Sequence, residues 1–205
     1  MRLHSYVVAR DYGFAPNPFF ASCTLATCKP RIRKIAAIGD WVVGTGSKKR
    51  HREKYIVYAM KVTEIMTFNE YWADPRFQTK KPNLRGSKKQ AFGDNIYFKN
   101  PETGTWHQEN SHHSHDDGSV NHANVAVDTQ TNRLLVSDDF VYWGGSGPEL
   151  PGRFLDYGPQ HVSLCAVRNH KNTFPEELVQ DFVAWIRLFS VKGYAGEPLD
   201  WCRTP

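Results

Sequence analysis

The side chains best equipped for chemistry crowd into one stretch, Trp106 to His122, which reads "WHQENSHHSHDDGSVNH". Imidazole and carboxylate at this density (His107, His112, His113, His115, Asp116, Asp117, His122) suit Zn, Mn or Fe(II). No HExxH or other fixed metal spacing is present, so a His/Asp-rich surface loop is the expected outcome, with no bound metal and no other cofactor. The same stretch has a second possible use. Ser111, His113 and Ser114 can line a pocket in which His113 serves as hydrogen-bond donor or general base near neutral pH. Cys28 adds a candidate nucleophile, because it stands just before a predicted helix carrying Lys29 and Arg31. A lone cysteine more often packs as a small buried residue, and both readings stay open. Cys23, Cys165 and Cys202 form no CxxC pair with it or each other, so all are expected to be reduced and mostly buried.

A second candidate site is "DYGFAPNPFF", Asp11 to Phe20. Two prolines and a glycine in ten residues exclude a helix or a strand interior, and they stiffen a loop that presents three phenylalanines and a tyrosine. Aromatic faces stack on bases, and an amide such as Asn17 can read a donor/acceptor edge. Asp11, Tyr12, Phe14 and Asn17 are therefore candidates for binding a flat ligand, with Lys29 and Arg31 placed to meet its phosphate. Phe19 and Phe20 are expected instead to plug one end of the fold. "DDFVYWGGSG" offers a third wall, where Tyr142 and Trp143 precede glycines that let backbone approach a ligand; core packing explains the same pair equally well.

Charge is segregated along the chain. Residues 29–54 hold nine Lys/Arg against two acids and residues 76–89 hold six against none, in a chain whose net charge is only +5. Such segregation suits a polyanion, and it marks Lys48, Lys49, Arg50, Arg52, Lys80, Lys81, Arg85, Lys88 and Lys89 as candidates for gripping a nucleic-acid backbone. No run of about 18 apolar residues occurs and the start lacks a signal-peptide pattern, so a soluble, cytoplasmic protein without a membrane partner is expected.

The elements that must position these residues follow from local pattern. "LHSYVVA" and "DWVVGTG" read as strands, and "KPRIRKIAAIGD" as a short helix with Pro30 in its first turn and Gly39 as its stop. "YIVYAMKVTEIM" reads as one long strand, followed by a capping box at Thr67 and Glu70. "DNIYFKNPETGTWHQ" predicts a hairpin turning at Asn100 to Gly104, and "NVAVDTQTNRLLVS" another turning at Asp128 to Asn132. "TFPEELVQDFVAWIRLF" predicts a long C-terminal helix, capped by Thr173 and Glu176, with Leu178, Val179, Phe182, Val183, Ile186 and Phe189 on one face. This order argues α+β, a curved mixed sheet or small β-barrel with short helices, in one domain over residues 1–205.

"GDWVV" leading to "YIVYAMKV" resembles the PUA-like barrels, particularly the EVE, YTH and ASCH domains, in which a helix ending in Gly-Asp feeds a barrel strand and the next strand begins the wall of a base-binding pocket. The runs "DYGFAPNPF", "CTLATCKPRIR", "GDW", "GDNIYF" and "WHQENSHHS" resemble the nucleotide-modification-associated family, second of that named series, over nearly the whole chain. Trp41 of "GDW" joins the ligand-binding candidates on this ground, and Ser111 and His113 gain weight from it. The resemblance implies recognition of a modified nucleobase, most naturally in DNA, through an aromatic pocket flanked by basic loops. The alternative it implies is an enzyme of base hypermodification or modified-nucleotide metabolism, with His113, Asp11 or Cys28 as acid, base or nucleophile in the same pocket.

Overall fold

The computed structural model describes residues 1–167 and 169–201, so the expectation for Cys202 lies outside the described residues. Its strands are β1 (Leu3–Val7), β2 (Cys23–Leu25), β3 (Trp41–Thr45), β4 (Ile56–Lys61), β5 (Glu64–Met66), β6 (Tyr97–Lys99), β7 (Trp106–Gln108), β8 (Leu134–Ser137), β9 (Asp139–Tyr142), β10 (His170–Lys171) and β11 (Gly193–Tyr194). Its α-helices are α1 (Pro30–Ile35), α2 (Phe68–Ala73), α3 (Lys88–Ala91), α4 (His122–Asp128), α5 (Gly152–Leu155) and α6 (Glu176–Arg187). They assemble into two compact units that interleave in sequence. Unit 1 takes Met1–Tyr12, Ala36–Thr63 and the chain from Ser137 onward, and unit 2 takes Gly13–Ile35 and Glu64–Val136. No helix among the described residues is long and apolar enough to cross a membrane.

Unit 1 is a six-stranded mixed sheet in the order β10-β1-β3-β4-β9-β11. β1 runs parallel to β3, from Leu3 opposite Trp41 to Val7 opposite Thr45, while β4 lies antiparallel to both β3 and β9. Alternation sends Leu3, Trp41, Val43, Ala59 and Val141 into one apolar core, where Leu178, Val179, Phe182 and Ile186 of α6 meet them. Gly44 has a clear reason. A Cβ there would lie 2.5 Å from the Tyr58 ring, at the point where the β3–β4 register shifts.

Two expectations are corrected here. The sheet is mixed, curved and unclosed, with β10 and β11 as its edges, so of the two forms expected the curved sheet is the one found and the barrel is not. The C-terminal helix spans three turns, and its capping box is absent because Pro175 holds the N-cap position, so the helix starts at Glu176, past Thr173. Glu176 and Glu177 then favour the positive end of its dipole.

Unit 2 joins a three-stranded sheet, β2-β8-β5, to the β6–β7 hairpin. Its core gathers Phe14, Phe68, Tyr71, Phe77, Ile96, Tyr97, Val125 and Leu134. The Thr67 capping box forms in both directions, and the hairpin across Asn100 to Gly104 pairs Phe98 with His107. The long strand expected over residues 55–66 divides at Val62 and Thr63 into β4 and β5, which belong to different sheets. The expected hairpin at Asp128 to Asn132 is instead the end of a helix. The Asn121 side chain accepts from the Asn124 N–H at 3.1 Å and starts α4, in which Val125 is buried and Val127 is 48% exposed. Two valines at alternate positions are too short a pattern to separate strand from helix.

Unit 1 also buries an imidazole. His4 is fully enclosed on β1, with Nε2 3.3 Å from Asp40 Oδ2. Burial holds its pKa below the usual 6.5 against the pull of Asp40, while Arg2 and His170 add to the lowering. Burial would raise Asp40, but N–H groups of Arg2 and Ala37 and the His4 ring hold it below the ordinary carboxylate range. Both groups therefore stabilise the fold at neutral pH, in full above the unfolded imidazole's value, and that stability is lost as pH falls through their folded values. The midpoint of urea unfolding should decline from about pH 6.5 downward, and His4→Gln should flatten the first part of that decline. Superimposable pH profiles for the two proteins would remove His4 from this account.

Candidate functional site

Cys28 stands in the turn between β2 and α1 and adopts φ +56°, followed by Lys29 at φ +43°. Two successive left-handed residues with side chains are costly, about 1–3 kcal/mol each, and persist only where the surroundings enforce them. The surroundings here are specific. The Cys28 N–H donates to Asp128 Oδ1 at 2.7 Å, and its carbonyl accepts from Arg33 Nε at 2.8 Å. Turned this way, Cys28 Sγ lies 3.7 Å from His113 Nε2, while His113 Nδ1 donates to Asp128 Oδ2 at 2.8 Å. A thiol, an imidazole and a carboxylate are thus in line, the arrangement that activates a nucleophile through a base oriented by a third group.

Each member is braced from the fold. Tyr97 on the inner face of β6 donates its hydroxyl to Asp128 Oδ2 at 3.0 Å, and Gln108 opposite it donates to the Tyr97 oxygen at 3.1 Å. Burial and the Asp128 charge push the Tyr97 phenol far up, so it remains a donor. Arg33 is wholly buried in α1 and also donates to the backbone carbonyls of Asp128 and Arg133. Burial lowers its guanidinium to about 10, which leaves it charged at neutral pH. For His113, burial works toward a lower pKa, but hydrogen bonds and charges from Asp128 and Cys28 outweigh it and push the imidazole up to about 9. At pH 7 the ring can therefore carry a proton on each nitrogen, one held by Asp128 and the other toward sulfur.

Aromatic rings adjoin this relay. Phe14 lies 4.6 Å from the His113 ring and 5.3 Å from that of His112, which also meets Phe92 at 5.3 Å. One ligand atom from each of Cys28, His113 and Asp128 lies within 4.8 Å of the others. Both Asp128 oxygens, however, are engaged by three donors, so the carboxylate fits an orienting role better than a ligating one.

The sequence-derived candidates are distributed unevenly around this centre. Phe14, Lys29, His113 and Ser111 fall in unit 2, where the Ser111 hydroxyl accepts from the His113 N–H at 3.3 Å. Ser114 donates to the Glu109 carbonyl at 2.9 Å, and Arg31 is exposed on α1. Lys29 is half-buried, and burial lowers its pKa. Asn17 is corrected as an edge reader. Its Nδ2 donates to the carbonyls of Gly13 (3.1 Å) and Phe92 (2.9 Å), and its Oδ1 accepts from Lys80, so its amide is spent holding the loop. Phe19 is buried as a plug should be, whereas Phe20 is 37% exposed and is not one.

Asp11 and Tyr12 belong to unit 1. The Asp11 carboxylate accepts from the Tyr142 hydroxyl and the Leu199 N–H, and the Tyr12 carbonyl accepts from Trp201 Nε1 at 2.9 Å, so both anchor the turn at Leu199–Trp201. Trp41, Tyr142 and Trp143 are buried in unit 1, which agrees with the core-packing reading left open for Tyr142 and Trp143. Among the basic candidates, Lys48, Lys49, Arg85, Lys88 and Lys89 are exposed, Arg50 is paired with Asp200, and Arg52 lies 4.0 Å over the Tyr55 ring. Lys80 is corrected outright. It is fully buried, and its ammonium donates to Asn17 Oδ1 (2.7 Å), the carbonyls of Asn17 (3.0 Å) and Ser22 (3.1 Å), and Thr24 Oγ1 (3.2 Å).

Asp128, Tyr97 and Arg33 escaped the sequence reading. The signal that leads to Asp128 is the Asn121 cap, which makes residues 122–128 a helix and puts the aspartate at its end.

Fold and site together define an α+β protein of two interleaved units, one of which carries a thiol–imidazole–carboxylate relay. The chain belongs to the family described as Nucleotide modification associated domain 2, whose model matches residues 1–205. No curated protein and no solved structure matches it.

The buried position of Lys80 gives a direct check. Lys80→Ala should cost about 2–4 kcal/mol in urea unfolding, since four acceptors lose an ionic donor inside the unit, while Lys81→Ala should cost under about 1 kcal/mol. Equal small losses would return Lys80 to the surface.

Proposed function

We propose that this protein is an enzyme of nucleotide modification in which Cys28 attacks an electrophilic carbon of a nucleotide or its base. The single observation that carries this reading is the alignment of Cys28, His113 and Asp128. In the first step the Cys28 sulfur, its thiol proton having passed to His113 Nε2, forms a bond to that carbon, and the displaced electron pair leaves with a departing group or collects on a neighbouring oxygen or nitrogen. The proton for that pair comes from His113 Nε2, and Asp128 holds the ring in the tautomer that allows the transfer. Phe92 and His112, packed over the buried Phe14, suit the flat face of a base, and Lys29 and Arg31, which follow Cys28 in sequence, suit a phosphate. The family's association with nucleotide modification is consistent with both.

A second reading is a module that recognises a modified base, in DNA by preference, without reacting with it. The aromatic rings beside His113 and the exposed lysines and arginines favour it. The two readings separate at the thiol. Cys23 is fully buried, and burial pushes its thiol far up; burial pushes Cys165 up to about 11. Peptide mapping after brief iodoacetamide treatment at pH 7 should therefore show Cys28 modified well before either. His113→Ala should slow its modification about tenfold or more, as loss of the proton acceptor does for a paired nucleophile. A Cys28 no faster than Cys165, or indifferent to His113→Ala, leaves the recognition module as the better account.

A further inference from the structure

The β6–β7 hairpin has two faces with different occupations. Tyr97 and Gln108 are buried and support Asp128. Phe98 and His107, opposite one another in the next register position, project from the other face, and Trp72 of α2 meets both of them. Ring centroids stand 4.7 Å apart for Trp72 and Phe98 at 34°, and 4.6 Å apart for Phe98 and His107, which are stacked at 28°. None of the three rings belongs to the buried core of unit 2. His107 keeps 46% of its side chain exposed, and its Nε2 edge is held by Glu109 Oε1 at 3.1 Å, which fixes the plane of the ring.

A cation covers the cluster at Trp72. Lys81 Nζ lies 3.6 Å over the Trp72 ring, and the exposed Arg85, Lys88 and Lys89 follow with no acidic residue among them. Three aromatic rings clustered outside a core, Trp72 and His107 also meeting edge to face at 6.3 Å, with the Lys81 ammonium against them and the Glu109 carboxylate spent on orientation, form a surface whose chemistry is π-face plus positive charge. A duplex hides the faces of its bases within its own stack, whereas an unpaired strand exposes them together with phosphates.

We propose that this cluster is a binding platform for single-stranded nucleic acid, a base stacking on the half-exposed His107 ring that Phe98 and Trp72 support, while Lys81 and the basic residues that follow it in sequence meet the phosphates. The platform lies on the opposite hairpin face from the Cys28 relay and does not depend on the thiol chemistry. It would make the substrate of the protein a polymer, or a nucleotide delivered from one.

The test is fluorescence anisotropy at low salt with short labelled thymidine and uridine oligomers, a duplex of equal length, and a mononucleotide competitor. Both single strands, or one of them, should bind at least about tenfold more tightly than the duplex, the scale of one lost base stack. His107→Ala and Lys81→Gln should each weaken binding about three- to tenfold, the second also lowering the salt dependence, while His107→Tyr should keep it because a stacking ring remains. Thermal melts accompany each variant, and the His107→Tyr and His107→Ala pair decides the matter if other variants unfold. No oligomer binding by the intact protein, equal binding of duplex, or equal affinity of the alanine and tyrosine variants overturns the platform. Any of these leaves the iodoacetamide result for Cys28 standing on its own.

Discussion

The Asp128 carboxylate is the interaction on which the candidate site depends. It accepts the Cys28 N–H, the Tyr97 hydroxyl and His113 Nδ1, so three separate stretches of unit 2 converge on one buried charge. A buried carboxylate is tolerable only when its lone pairs are filled, and the filling here sets geometry as well as energy. The bond to the Cys28 N–H holds the turn, the bond to Nδ1 sets the ring, and together they bring sulfur and Nε2 into range. Arg33 adds the positive charge nearby without bonding that carboxylate, spending its donors on backbone carbonyls of Cys28, Asp128 and Arg133.

The strained turn at Cys28 and Lys29 gains meaning from this. A left-handed cysteine between a strand and a helix lifts the sulfur out of the β2 ladder, much as a nucleophile elbow presents its side chain. Short elements suffice because the support is polar and comes from several sides. α1 and α4 are each under eight residues, and neither would persist alone, so their positions are set by the core of Phe68, Tyr97 and Val125 and by the bonds to Arg33 and Asp128.

Much of the fold was legible from local pattern. The strands β1 and β3 of unit 1, the box at Thr67 and the Asn100 to Gly104 hairpin are written in short windows where period and turn chemistry agree. Cys28 and His113 stood out by residue type, and their separation of 85 positions hid only their adjacency. Asp128 was illegible because its neighbours "DTQTN" carry turn chemistry, and the helix that delivers it depends on a cap seven residues earlier. Lys80 and Asn17 failed for a different reason. A charge run or an amide beside aromatics looks the same in sequence whether it faces water or a partner, and here the two residues satisfy one another inside the unit.

The interleaving of the two units has a consequence for how the chain matures on a ribosome. Every strand and helix of unit 2 has been synthesised once the chain passes Ser137, so this unit can close early, with its relay already assembled. Unit 1 must wait. Its β1 is made first, yet β9, α6 and β10 come only from the last third of the chain. The amino-terminal strand therefore spends most of synthesis with β3 as its sheet neighbour and its other edge unpaired. Vectorial growth thus lets the unit that holds Cys28, His113 and Asp128 close ahead of the one that carries both ends of the described chain.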